Sequence, residues 1–306
     1  MSDKMTDDPQ AGNGPLPAEA RAANLRLWNH WTKVHEKSAY YDVDGFRAGK
    51  SSLWPLELAE LGPLVHEGTT LLHLQCHFGL DTLSLARMGA EVVGVDLSDE
   101  AIELARRLAG DTGLSGRAEF ICSDVYDAGA HLGGRLFDIV FVSWGALEWL
   151  PDLDRWAAVV AGHLRPGGVF YLAELHPFAY GLEEVAGERD VRVAYPILPA
   201  PDRPAVEPVE GSYADRDADT TGLVSYGWAH SFAEITGALT GAGLRLDHLH
   251  EFACSPAPFW DWMVQDDDRW WWLPDGKGGH RRDLPFSYSL RASRPGDAAA
   301  PASGEA

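Results

Sequence analysis

The chain has 306 residues, is 45% hydrophobic and carries a formal net charge of -21, with 46 Asp and Glu against 25 Lys and Arg. That apolar content can bury one large core, while the acidic balance repels a phosphate backbone and excludes DNA or RNA as the expected substrate. Three cysteines without a C-x-x-C pair signal neither a disulfide framework nor a zinc finger. The first residues lack an apolar signal segment and no run of about 18 apolar residues occurs, so the expected compartment is the reduced cytoplasm, with no membrane partner.

Residues 1–18 are acidic and rich in Gly and Pro and read as a disordered tail, as do residues 295–306 (PGDAAAPASGEA). Residues 19–294 read as one domain that opens with a helical segment over about 20–62. Ala20 to Lys37 is predicted helical, with Leu27, Trp28, Trp31 and Val34 on one face. That face either packs on the core or forms a lid in which Trp28 and Trp31 close over a ligand. Tyr40, Tyr41 and Phe46 follow in a loop, and Ser51 to Leu61 is predicted to form a second short helix.

The stretch Leu71 to Ser98 reads as one βαβ unit. An apolar run (Leu71–Leu74) meets a polar turn (Gln75–Gly79), a helix follows over Asp81–Met88, and a second apolar run (Val92–Val95) stops on Asp96. Such a corner presents backbone N–H groups at a helix N-terminus and places an acid about 20 residues on, where it can accept from a ribose diol. Ser98 then caps a helix with Ala101, Leu104, Ala105 and Leu108 on one face. Strands are predicted at Glu119–Cys122, Phe137–Val142, Val169–Leu175, Arg245–Glu251 and Ser287–Ala292, with helices at Leu153–Leu164 and, behind the capping box of Ser231 and Glu234, to about Ala242. This alternation predicts an α/β fold with a doubly wound, mostly parallel seven-stranded sheet that ends in an antiparallel edge pair. Two insertions, 176–227 and the tryptophan-rich 252–283, leave from carboxyl ends of strands, the edge at which open α/β sheets bind ligands.

The segments LLHLQCHFGLDTLSLA, VVGVDLS, ICSDVYD, FDIVFVSWGALEWLPDL, LRPGGVFYLAELHP and SYSLRA, in this order, resemble the class I S-adenosylmethionine-dependent methyltransferases. The first motif departs from the family's glycine-rich pattern: His73, Gln75 and His77 stand where an acid and two glycines are usual, and Gly79 alone is kept. With YYDVDGF and ELHP, this variant resembles bacterial small-molecule enzymes, some of which C-methylate isoprenyl diphosphates. The resemblance implies S-adenosyl-L-methionine as cofactor, with Asp96 on the ribose, Leu97 on the adenine face, Asp124 on the adenine amine and the Val125 backbone on the ring. It further implies Tyr41, Gln75, Cys76, His77 and Gly79 around the methionine part, and Ser143 beside the sulfonium.

Methyl transfer requires alignment of an acceptor and removal of its proton. Glu174 and His176, at the end of a strand beside the expected methyl, are the predicted proton-handling residues; Glu174 in an apolar strand is either a desolvated base or an anchor for a loop. His176 is alternatively a turn residue. An aromatic wall favours an apolar acceptor, and an isoprenyl diphosphate alkene would combine ring faces, Glu174 as base, and Mg²⁺ screening with the basic cluster Lys277, His280, Arg281 and Arg282. That cluster reads alternatively as a solvated hairpin tip. N- or O-methylation, and a non-catalytic S-adenosylmethionine-binding protein, stand as alternatives, whereas a nicotinamide enzyme is disfavoured by the lack of G-x-G-x-x-G after the first strand.

Overall fold

The computed structural model describes residues 18–198 and 204–296. Apart from Ala18 and residues 295–296, the two predicted tails lie outside the described residues. The core is a seven-stranded sheet of β1 (Thr70–Leu74), β2 (Glu91–Asp96), β3 (Ala118–Cys122), β4 (Phe137–Ser143), β5 (Leu164–Leu175), β6 (Arg245–Phe252) and β7 (Ser287–Ser293). Their spatial order is β6-β7-β5-β4-β1-β2-β3, with β7 antiparallel to both of its neighbours. The predicted edge pair therefore exists, but β7 inserts between β5 and β6 and leaves β6 as the edge. β1 lies between β2 and β4, with Leu72 paired to Val93 on one side and Val140 on the other. The strand order reverses at β1 and β4, so a crevice opens outside their carboxyl ends.

The helices are α1 (Ala18–His35), α2 (Val43–Arg47), α3 (Pro55–Glu60), α4 (Leu80–Arg87), α5 (Asp99–Asp111), α6 (Ala128–Leu132), α7 (Leu153–His163) and α8 (Phe232–Gly241). Their caps follow the local sequence: the Ser98 hydroxyl accepts from the Ala101 N–H, and Ser231 with Glu234 closes the predicted capping box. α3 is shorter than predicted because Pro55 sits at its first position and holds Trp54 extended, ψ 159°. The predicted Tyr40–Phe46 loop contains α2, started by Asp42, whose carboxylate accepts from the Gly45 N–H.

Strand alternation divides the core. Val140, Val142, Phe170, Leu172, Tyr288 and Leu290 face α7 and α8 around the fully buried Trp156. Leu71, Ile139, Phe141, Tyr171 and Ala173 face the other way, with Leu53, Leu61 and Leu85. Truncating a buried tryptophan typically costs about 3–5 kcal/mol, so Trp156 is a principal tie between helix layer and sheet. Both insertions form short antiparallel hairpins above the carboxyl edge, among them Ala205–Pro208 with Val224–Gly227 and Cys254–Ser255 with Trp271–Trp272. No helix among the described residues is long and apolar enough to cross a membrane.

Candidate functional site

A cavity of about 960 Å³ lies over the carboxyl ends of β1, β2 and β4, under α1 and the two insertions. It is lined by every cofactor-binding residue predicted from the sequence: Tyr41, Gln75, Cys76, His77, Gly79, Asp96, Leu97, Asp124, Val125 and Ser143.

The turn after β1 explains how the unusual motif is accommodated. Gln75, His77 and Gly79 all take positive φ, at 56°, 51° and 76°. The backbone thus keeps the left-handed conformation for which glycine is suited, and two side-chain-bearing residues carry it at about 1–2 kcal/mol each. Three hydrogen bonds hold the turn: Cys76 N–H to Val95 O, Gly79 N–H to Cys76 O, and His77 N–H to Asp96 Oδ2 at 2.7 Å. Gly79 cannot be replaced in the same way, because a Cβ there would stand 2.6 Å from the Phe120 ring.

Asp96 takes the His77 N–H on one oxygen and the Ser98 N–H, 2.8 Å, on the other. Burial pushes its pKa up to about 6 in spite of these bonds. Each oxygen has a further lone pair to offer a diol. Asp124 accepts from the Tyr126 N–H and from Arg21 Nε of α1, 2.9 Å. Beside them Gln75 donates Nε2 to Ala146 O and leaves Oε1 buried without a partner; His77 Nδ1 is likewise buried and unpartnered. A buried carboxylate and two orphaned polar atoms along one wall fit a ligand with a ribose and a polar tail.

His77 Nε2 is bonded to His35 Nδ1 at 2.9 Å, and His35 Nε2 to Ser212 Oγ at 2.6 Å. Burial holds His35 down to about 3, and burial followed by the neighbouring His35 holds His77 well below its usual range, so both rings are neutral. The relay has one direction at a time: if Ser212 donates, His77 Nδ1 carries a proton into the site, and if Ser212 accepts, His77 Nδ1 presents a lone pair. Trp28 and Trp31 line the same cavity and meet edge to face at 5.3 Å, with Trp28 also against His77 and Trp149. The helix face that allowed two readings is therefore a cavity wall.

The predicted catalytic pair stands apart from this lining. Neither Glu174 nor His176 lines the cavity. The buried Glu174 carboxylate accepts the N–H groups of Gly145, Ala146, Leu147 and Leu175, which anchors the turn after β4. Burial still raises its pKa. His176 accepts the Phe178 N–H at Nδ1, bonds Glu251 through Nε2 and packs on Phe232. In this arrangement both side chains are engaged by the protein itself. The basic cluster also lies away from the cavity: Arg281 is paired with Asp190 and Asp283, and Arg282 sits over Trp272. Nothing in that cluster offers a diphosphate or Mg²⁺ a place in the site.

Sequence reasoning missed Glu148, although it lies inside the quoted SWGALEWL segment. It lines the cavity on the turn that Glu174 anchors, and burial, then the proximity of Glu174, pushes its pKa up to about 8. The cavity is also lined by Trp54, Leu58, Trp144, Phe259, Tyr213 and Arg269, whose guanidinium lies 4.3 Å over the Trp54 ring. Asp81, joined to Ser52 and Ser143, adds a second half-buried acid with a raised pKa. Of the tryptophan-rich insertion only residues 255–259 and 267–269 reach the cavity. Trp270 supports Trp54 from behind at 4.8 Å, and Trp260 stacks on Trp262.

This strand order, with its antiparallel penultimate strand and a cavity at the β1/β4 crevice, defines the class I S-adenosylmethionine-dependent methyltransferase fold. Residues 71–168 match the family described as "Methyltransferase domain". The chain thus has the fold of the class I S-adenosylmethionine-dependent methyltransferases, and its central segment is similar to their catalytic domain. It is 31% identical over 157 residues to a ubiquinone biosynthesis O-methyltransferase of Xanthomonas axonopodis pv. citri, a match covering 50% of this chain and 64% of that protein. A protein of the same name from Mesorhizobium japonicum is 33% identical over 130 residues, 41% of this chain and 49% of the relative. The chain thus spans less than two thirds of the length of these curated relatives. An S-adenosylmethionine-dependent methyltransferase from Mesorhizobium loti shares the fold with a TM-score of 0.53 at 20% identity, covering 81% of this chain and 100% of that one.

Proposed function

We propose that the protein methylates a hydroxyl group on a small, largely apolar, ring-bearing molecule, using S-adenosylmethionine. The observation that carries this reading is one cavity lined by the Asp96 corner, by Glu148 and by the aromatic side chains of Trp54, Trp144 and Phe259. Bound at the Asp96 corner, S-adenosylmethionine supplies a methyl sulfonium. The chain's own contribution is to position and to deprotonate. Trp54, Trp144 and Phe259 give a planar acceptor its apolar contacts, and the pKa of Glu148 near 8 suits it to take a hydroxyl proton as the oxygen gains its methyl. Oxygen is preferred to alkene carbon because the curated relatives are named O-methyltransferases and the basic cluster invoked for a diphosphate lies elsewhere. The isoprenyl diphosphate reading, with Glu174 as base, accordingly gives way to this one.

The test is incubation of the full chain with S-adenosylmethionine and a panel of phenols, amines and isoprenyl diphosphates, read by mass gain. O-methylated phenols are expected, and Glu148→Gln is expected to lower the rate by about 10²–10⁴ with cofactor affinity retained. Methylation confined to nitrogen or carbon, or cofactor binding without turnover on any acceptor, overturns the proposal.

A further inference from the structure

Away from the cavity, β6 carries His248 and His250, two residues apart and therefore on one face of the sheet's exposed edge. Their rings stack at 4.3 Å and 6°. Glu60, the last residue of α3, sits against both: its Oε1 is 2.8 Å from His250 Nδ1 and its Oε2 3.8 Å from His248 Nε2. The three donor atoms lie within 4.8 Å of one another. His248 Nε2 is buried and has no hydrogen-bond partner. Behind them Tyr171 donates its hydroxyl to Glu60 Oε2, 3.1 Å, which fixes the carboxylate from the sheet side. The register places His248, Arg291 and Tyr171 in one row and His250, Ser289 and Ala173 in the next, so these side chains rise from the same face.

We propose that Glu60, His248 and His250 form a binding site for a divalent transition metal, Zn²⁺ by preference. Two imidazole nitrogens and a carboxylate oxygen are the donor set that borderline ions select over Mg²⁺ or Ca²⁺. Metal–ligand bonds near 2.1 Å put tetrahedral donors roughly 3.3 Å apart, a spacing that this cluster brackets before any adjustment. The Tyr171 hydroxyl serves as the outer hydrogen bond that orients the ligating carboxylate. A fourth position faces the open edge of β6, where water completes the shell. The site is independent of the methyl-transfer reading, but α3 links the two regions, since its N-cap Trp54 and, within it, Pro55 and Leu58 line the cavity. A metal here ties that wall to the edge strand.

The experiment is titration of ZnCl₂ into chelator-stripped full chain by calorimetry, with Co²⁺ absorption as a second readout. One ion per chain is expected, with Co²⁺ bands of tetrahedral type. His250→Asn, a change at a half-exposed side chain that leaves folding intact, is expected to weaken binding by about 100-fold, and Tyr171→Phe by about tenfold. Zn²⁺ is expected to raise the melting temperature of the parent chain and not that of His250→Asn. His66→Asn, at an exposed histidine outside the cluster, controls for non-specific attraction to an acidic protein and is expected to change nothing. Equal affinity in the parent chain and His250→Asn, or equal loss in His66→Asn, overturns the proposal.

Discussion

Glu174→Gln separates a structural acid from a chemical one. In the native chain one Glu174 oxygen accepts from Gly145 and Leu175, and the other from Ala146 and Leu147. A glutamine keeps one acceptor oxygen, so two of these four buried N–H groups face an amide NH₂ instead. At about 1.5–2 kcal/mol for each unsatisfied donor, the variant should lose roughly 3–4 kcal/mol of stability. For a chain of this size that is about 6–16 °C in melting temperature. The same change removes the charge that helps raise Glu148, so the pKa governing the rise of the rate with pH should fall below its native value near 8. Melting by circular dichroism and the pH profile of methyl transfer measure the two effects on one sample. A variant that melts like the parent but has lost turnover at every pH would refute the assignment and restore Glu174 as the base.

Other outcomes follow from the same geometry. Asp96→Asn should weaken S-adenosylmethionine binding by about 10- to 100-fold in calorimetry, since a charged acceptor facing a diol is worth about 1.5–3 kcal/mol. Gly79→Ala should destabilise the fold by about 2–3 kcal/mol, because the added Cβ meets Phe120 at 2.6 Å in a left-handed turn; denaturant midpoints read the loss. His35 and His73 are both held neutral by burial, with pKa values down to about 3. Unfolding lets them bind protons below pH 6.5, so stability should be intact above that value. It should fall by up to about 1.4 kcal/mol per pH unit for each histidine as the pH drops towards 3. Glu148 acts in the opposite direction: a carboxyl whose pKa is raised in the folded state favours unfolding as pH climbs from about 4.5 through about 8, and Glu148→Gln should flatten that decline.

The sheet was legible because strand and helix periods alternate cleanly between residues 70 and 175, and because caps such as Ser98 and Ser231 are local events. The cavity wall was legible for a related reason: Asp96 and Asp124 stand at strand ends, where position along the chain fixes position in space. Glu174 shows what one dimension conceals. An acid at a strand's carboxyl end looks catalytic, yet the two-residue strand period turns its side chain away from the face of Ala173 and Leu175, towards the backbone of the neighbouring turn. Glu148 was hidden because its importance comes from burial among segments far apart in sequence, including Tyr180 and Glu174. The Glu60, His248 and His250 cluster was hidden because Glu60 and His248 lie 188 residues apart in sequence and meet only through the register of β6 and β7.

Helix α1 is fastened at both ends, by the buried Ala20 and by Asn24, bonded both ways to the Tyr226 backbone, on one side and by its last turn on the other. Towards its C-terminal end Trp31 and His35 are buried, and His35 is bonded on both sides, to His77 and Ser212. Near its N-terminal end the link to the cofactor corner is the Arg21–Asp124 pair, whose arginine side chain is 44% exposed. A pair so open to solvent contributes less than about 1 kcal/mol and weakens with salt. With Ala20, Asn24 and Leu27 buried, the helix body stays seated while the Arg21 side chain, the loosest of these ties, is free to swing away from Asp124.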